Sequence, residues 1–372
     1  MFTKIVHIAT DEKFINSAIL QFEKASPFPS VFYIRIKTKN AYKPLHVQTK
    51  KNVHFRTKNE LLDLTKTLIP SDLVVFHSLP SVFFDIVLAL PKNTKIIWMC
   101  FGFEIYNDPF YFSTKKLLGS ETKKYYQRNK QTIAERLVEN YRISFGKTKK
   151  QEAIERIDFI GTAFKEEFEA LQKYTKTKKR FFHFWYYPLE LIINTEEPIK
   201  VAGPNVLIGN SASITNNHLE AFTALKNCKR PPNLKIIVPF SYSEDYHSSL
   251  VKITGERYFG NTILFLEDFM DLRAYNQLLK SCGFAIFYNK RQQAIGNTIA
   301  LLWYGAKVFL SVDNPFYHFL KRKNIFVFTV EEIQFSTLLS TMEVIHNRNV
   351  IKSIWKRDVL EAELVKELDR LF

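Results

Sequence analysis

Short apolar runs alternate along the chain with stretches whose apolar residues recur at helical spacing, and this alternation predicts a parallel sheet covered by helices. In the first half KIVHIAT, VFYIRI, LVVFH, KIIWMCFG and IDFIGT read as strands; in the second half NVLIGN, LKIIVPF, TILFLE, GFAIFY and AKVFLS do. Each half repeats the same strand–helix cycle. The expected fold class is therefore α/β, two doubly wound Rossmann-like domains facing a cleft, with ligands beyond the carboxyl ends of the strands. Near residues 188–204 periodicity fails, and Pro188, Pro198, Gly203 and Pro204 punctuate the chain, which marks a linker. The expected division is 1–190, 205–345, and a last helical stretch, 346–372, packing back on the first domain.

Length agrees with that division, since 372 residues exceed one ordinary core and suit two domains of about 150–200 residues. A hydrophobic content of 46% with 15% aromatics describes a folded chain and excludes a disordered tail. Charge adds direction. Of 53 basic and 37 acidic side chains, 32 and 19 lie in residues 1–195, so that part carries +13 of the net +16. A basic half beside a nearly balanced one predicts a face that meets phosphate-rich polymer or a membrane surface.

Cys100, Cys228 and Cys282 lie far apart without paired spacing and are expected as reduced core residues of a cytosolic protein. The first strand is expected almost at once, in KIVHIAT, so no export leader is expected. No run approaches the roughly 18 uncharged apolar residues of a membrane-spanning helix, so membrane contact is expected to be peripheral.

The strand-end loops hold the candidate chemistry. After VLIG come Asn210, Ser211 and Ser213, then Asn216 or Asn217 as a helix cap; the free N–H groups of such a helix suit a phosphate, although a plain capped turn has the same letters. KRQQAIGNT follows GFAIFY and places Gly296 and Asn297 at a helix N-terminus. There Arg291 can fork onto two phosphate oxygens, and Gln292 and Gln293 can donate to a sugar or a diphosphate. Tyr242, after IIVPF, could lie on a nucleobase or sit on the rim, and Asn314 in VDNPF is an Asn-Pro turn facing the same cleft. In the first half His77, Asp11 with Asn16, and Glu104 with Tyr106 after Gly102 follow strands; each could accept a proton from an attacking hydroxyl, or simply cap a turn. A Walker loop, a GxGxxG, zinc-ligand spacing and a DxD pair are all missing. No metal and no cofactor beyond a donor substrate are expected.

With these loops in place, the sequence resembles the TDP-N-acetylfucosamine:lipid II N-acetylfucosaminyltransferases, glycosyltransferase family 56, of the GT-B fold. The likeness rests on VLIGNSASITNNHLEAF, IIVPFSY, AYNQLLKSCGFAIF, RQQAIGNTIALLWYGAKVFL and NPF, and more thinly on HIATDEKFIN, FHSLP and WMCFGFEIY. It implies transfer of an N-acetylated aminodeoxyhexose from a dTDP-sugar to an undecaprenyl-diphosphate-linked saccharide at the inner face of the cell membrane. A UDP- or GDP-sugar enzyme of the same fold is the alternative. Residues that fit the family pattern are Asn210, Ser211, Asn216, His218, Tyr242, Arg291, Gln292, Gln293, Gly296 and Asn314, with His77, Gly102, Glu104 and Tyr106 in the first domain.

The acidic pair that many retaining GT-B enzymes carry is absent; Gln292 and Ala300 stand near its place. Glu104 is the first expectation for a general base if the anomeric centre inverts, with His77 and Asp11 behind it; if configuration is retained, Glu104 would orient acceptor or sugar. Two segments join cations to aromatics: Lys115, Lys116, Lys123 and Lys124, then Lys178, Lys179 and Arg180 with Trp185. Both are expected to meet an anionic leaflet. A basic nucleic-acid-binding protein is the rival from another class, and no recognisable nucleic-acid module supports it.

Overall fold

The computed structural model describes residues 3–39, 42–108, 113–128, 149–175, 178–198, 203–231, 233–241 and 246–371. They form two compact units. One comprises Met1–Ser113, Thr132–Pro188 and Arg357–Phe372, the other Thr114–Gln131 and Leu189–Lys356.

The first unit is built on a seven-stranded sheet of β1 (Lys4–Thr10), β2 (Ser30–Arg35), β3 (Val53–Arg56), β4 (Asp72–His77), β5 (Lys95–Met99), β6 (Phe159–Thr162) and β7 (Arg180–His183). Its order is β3-β2-β1-β4-β5-β6-β7, and every neighbouring pair is parallel. Strand order reverses between β1 and β4, whose register sets Ile5 against Leu73 and Ala9 against His77. Helix Ile15–Ala25 buries Ile15, Ala18, Ile19 and Phe22, the i, i+3, i+4, i+7 stripe of a helix on a sheet. Leu364 and Leu368 join the same core.

Those two leucines belong to the end of the chain. The tail is not one helix: Thr341–Trp355 stops at Lys356, whose ψ of 147° is extended, and a new helix runs over Arg357–Asp369. Residues 346–356 thus group with the second unit and only the helix beyond Lys356 with the first.

The second unit holds β8 (Asn205–Ile208), β9 (Ile236–Pro239), β10 (Ile263–Leu266), β11 (Cys282–Phe287), β12 (Lys307–Leu310) and β13 (Phe328–Thr329). The order is β10-β9-β8-β11-β12-β13, again all parallel, and it reverses between β8 and β11. Val206, Ile208, Phe222, Val238, Ile286 and Phe309 centre its core.

Thr114–Leu117 and helix Ser120–Arg128 also belong here. Glu220 accepts the Thr122 N–H at 2.9 Å and its hydroxyl at 2.6 Å. Lys115, Lys116, Lys123 and Lys124, expected in the first domain, therefore group with the second unit.

Candidate active site

In a doubly wound sheet the crevice lies where strand order reverses, outside the carboxyl ends. In the second unit three loops leave that edge, after β8, β11 and β12. Gly209 directly follows β8 with φ +66°, and its N–H still donates to the Ile286 carbonyl at 3.1 Å. A side chain here would be strained, and a Cβ would lie 2.8 Å from His218 Nε2 and 3.3 Å from Asn216 Oδ1, so only glycine lets the loop fold so closely over them.

Asn210 and Ser211 follow, half-buried. Asn216 Nδ2 donates to the Ser211 carbonyl at 2.8 Å. Asn217 occupies the position before helix His218–Lys226 in the left-handed region, φ 54°, without capping it. Its amide instead ties three segments: Nδ2 donates to the carbonyls of Leu117 and Tyr288, each at 2.9 Å, and Oδ1 accepts the Gly119 N–H at 2.9 Å. The expected Asn cap is thus a cross-brace, carried by a residue that tolerates left-handed backbone.

The loop after β11 is fixed to that one. Thr215 Oγ1 donates to Gln293 Oε1 at 3.0 Å, and Asn289 Nδ2 donates to the Arg291 carbonyl at 3.0 Å. Lys290 pairs with Asp313 of the β12 loop at 2.8 Å. Arg291 and Gln292 are half-buried on this loop.

Ala294 precedes helix Ile295–Trp303 with φ 58° and no side-chain cap, a strained conformation for alanine. Gly296 is the second helical residue, exposed, and a Cβ there would meet nothing within 4 Å. The first turn is therefore open, with its dipole aimed at the crevice edge. Asn297 is engaged elsewhere, donating to the Tyr275 hydroxyl at 2.9 Å. Asn314 caps helix Pro315–Arg322 by accepting the Phe316 N–H at 3.0 Å, as an Asn-Pro turn does. Tyr242 lies outside the described residues.

Around this edge several buried polar atoms have no hydrogen-bond partner: Asn216 Oδ1, both ring nitrogens of His218, Asn289 Oδ1, Thr298 Oγ1 and Asn314 Nδ2. All five residues are buried. Burial, with His247 nearby, pushes the His218 pKa down to about 3, so its imidazole is neutral. Sequence reasoning named Asn216, His218 and Asn314 but missed Asn289, Ala294 and Thr298; of these only Asn289, a polar residue directly after a buried strand, leaves a sequence signal.

In the first unit the expected proton acceptors are occupied or sealed. Glu104, expected to face a cleft, is 7% exposed. Its carboxylate accepts the N–H groups of Leu79 and Phe101 at 3.0 Å each and the Trp98 indole N–H at 3.3 Å. Burial pushes its pKa up against these bonds. A general base needs an open lone pair toward substrate, and Glu104 is instead a brace between the β4 and β5 loops. The neighbouring Gly102 has φ +80°, and Tyr106 is buried.

His77 is fully buried: Nε2 meets His7 Nδ1 at 3.0 Å, and Nδ1 meets the Tyr186 hydroxyl at 2.6 Å. Burial lowers its pKa to about 3. Asp11 accepts the Tyr42 hydroxyl and the N–H groups of Leu45, His46 and Val47; partial burial opposes ionisation, but these bonds hold its pKa below the usual carboxylate range. Asn16 secures the same loop through His46 and Gln48. Asp11, Asn16 and His77 therefore have local structural partners.

Of the expected membrane residues, Lys115, Lys116, Lys124, Lys178 and Arg180 are exposed, while Lys123 and Lys179 are half-buried. Trp185 departs from expectation. It is 6% exposed, and its indole N–H donates to the Tyr187 carbonyl at 2.6 Å, because Arg180–His183 is strand β7 and carries it under the sheet's cover. Among the described residues no three His, Cys, Asp or Glu side chains are grouped as a metal ion would need, and no helix is long and apolar enough to cross a membrane.

A family model described as 4-alpha-L-fucosyltransferase, glycosyl transferase group 56, matches residues 159–358. Among solved structures, an alpha,alpha-trehalose 6-phosphate synthase from Burkholderia multivorans superposes with a TM-score of 0.62 at 10% identity, covering 100% of this chain and 97% of that one. The N-terminal domain of a Candida albicans trehalose-6-phosphate phosphatase gives 0.66 at 9%, covering 100% and 97%. Anabaena Alr3699/HepE, crystallised with UDP, gives 0.64 at 12%, covering 99% and 100%. At these identities the likeness is one of fold, and the fold is GT-B.

Proposed function

The chain belongs to the 4-alpha-L-fucosyltransferase family, glycosyl transferase group 56, and from that premise we propose that it moves an N-acetylated aminodeoxyhexose from a dTDP-sugar to a polyprenyl-diphosphate-linked saccharide. A GT-B glycosyltransferase takes a nucleotide-sugar donor, and the second unit offers its site. The observation that supports this most directly is the uncapped first turn of helix Ile295–Trp303 beside Arg291, at the carboxyl edge of β11. As the glycosidic bond breaks, negative charge grows on the departing diphosphate. A guanidinium and aligned backbone N–H groups placed beforehand stabilise that charge without reorganising. On this reading the leaving group needs no metal ion.

With Glu104, His77 and Asp11 held by structural partners, the reading rests on leaving-group stabilisation and positioning, not on a first-unit general base. The exposed cations of segments 114–128 and 178–180 would hold the enzyme at an anionic surface bearing its acceptor, each contributing about 1 kcal/mol. A second donor reading, a UDP-sugar, is favoured by the UDP bound to the fold relative HepE.

Thermal unfolding with dTDP, UDP and GDP separates the donors, since a ligand of the folded state raises its midpoint. The proposal expects dTDP to protect most, and a larger UDP shift would transfer it to the second reading. Turnover with a synthetic polyprenyl-diphosphate acceptor then tests the acceptor. Arg291→Ala should lower kcat by about 10²- to 10³-fold, far more than it lowers folding stability; equal loss of stability and activity would remove Arg291 from the role.

A further inference from the structure

The unpartnered atoms around the second unit's crevice are uncharged, and every residue among them except Asn314, whose free Nδ2 is a donor, can accept a hydrogen bond. Asn216 Nδ2 is spent on the Ser211 carbonyl and Asn289 Nδ2 on the Arg291 carbonyl. Carbonyl partners fix which end of each amide is nitrogen, so the two atoms left over are oxygens, Asn216 Oδ1 and Asn289 Oδ1. An amide oxygen accepts only and repels a phosphate oxygen. His218 and Thr298 add one acceptor and one donor each, both without partners and both fully buried.

The inner layer is thus uncharged and rich in acceptors, beside a separate anion-favouring feature at Arg291 and the open helix turn. A pyrimidine base such as thymine or uracil offers a single ring N–H donor. A hexose offers several hydroxyl hydrogens, and an N-acetylated one adds an amide N–H.

Resting on the donor reading above, we propose that Asn216, His218, Asn289 and Thr298 read the glycosyl group of the donor, accepting its hydroxyl and amide hydrogens, while its diphosphate lies outside this layer. Gly209 belongs to the same device: its missing Cβ leaves room beside His218 Nε2 and Asn216 Oδ1. Discrimination follows from burial: these acceptors are already desolvated and unpaired, so a sugar that brings the matching hydrogen gains a bond that a sugar without it does not.

Thr298→Val is the cleanest test, since it keeps shape and deletes only the unpartnered hydroxyl; His218→Phe deletes two unpartnered nitrogens among Phe222 and Phe240. Each variant and the wild type are titrated calorimetrically with dTDP and UDP, alone and as their N-acetylated aminosugar conjugates, and melted without ligand. The expected result is an unfolding midpoint equal to or above wild type, unchanged affinity for the diphosphates, and about tenfold weaker binding of the conjugate. A lowered midpoint, equal weakening of both ligand forms, or no change in either overturns the assignment. If the wild type binds none of the four ligands, the donor reading itself fails and takes this inference with it.

Discussion

Two acidic residues that follow strands in the first unit, Asp11 and Glu104, show how little a letter says about its proton. Asp11 is gripped by a tyrosine and three backbone N–H groups and held ionised; Glu104 is sealed among donors and pushed toward protonation by burial. Donors arriving from elsewhere in the chain decide the first case and burial decides the second, so neither was legible from composition or position. Glu104→Gln should lower stability by about 2 kcal/mol, because its amide nitrogen must face an N–H that now has no acceptor. Activity should fall only as far as the folded fraction does; a large kcat loss in a fully folded variant would return Glu104 to catalysis. The buried histidines make a pH prediction. His7 and His77 in the first unit and His218 in the second all have pKa values lowered by burial, while in the unfolded chain each takes a proton near pH 6.5. Below that pH the unfolded state binds more protons, so stability falls as pH drops from 6.5 toward about 3, by up to about 1.4 kcal/mol per histidine per unit. Urea unfolding at pH 7 and pH 5.5 should show that loss, and His77→Asn should shrink it; a flat profile would mean that these imidazoles protonate while folded.

At the scale of elements, ten of the strands were legible as apolar runs: nine are inner strands, covered on both faces of a parallel sheet, and the tenth, β10, has an apolar run, ILFL, although it ends the sheet order. The three that were missed, β3, β7 and β13, are all edge strands or end the sheet order. VHFR, RFFH and FT carry charge or are very short, as strands with a single neighbour can be. Misreading RFFH as surface is what placed Trp185 at a membrane. Segment 114–128 was likewise read from its lysines, whereas Thr122, Gly119 and Leu117 bind Glu220 and Asn217 across about 100 residues of sequence, a spacing no local pattern reveals. Glu220→Ala removes both bonds to Thr122 and should raise hydrogen exchange of residues 114–128 by about tenfold, equivalent to about 1.4 kcal/mol. Loss of protection spread evenly over the second unit would instead make Glu220 part of its general core.

For the whole molecule, the two-sheet α/β plan was readable because it repeats, and the candidate donor edge because strand-end loops in such sheets collect polar residues. What stayed hidden were single-residue backbone states, Ala294 and Asn217 in the left-handed region, and the pairing that leaves some amides without partners. Net charge is a property of this scale too, and it supplies the last prediction. The +16 charge attracts any polyanion, nucleic acid included, so anionic attraction alone does not identify a membrane partner. Vesicles of rising phosphatidylglycerol content should bind the protein progressively, with added salt weakening the interaction. Lys178→Ala with Arg180→Ala removes two exposed cations and should weaken binding by about 2 kcal/mol, roughly thirtyfold, without altering the fold. Lys115→Ala with Lys116→Ala tests the other segment in the same way. Because Trp185 is interior, Trp185→Phe should leave vesicle affinity unchanged. Should duplex DNA compete with the vesicles for the same cations yet leave glycosyl transfer to a detergent-soluble acceptor intact, charge and catalysis are separate properties. If neither double variant affects vesicle binding, the peripheral contact lies on another surface and the basic segments serve only solubility.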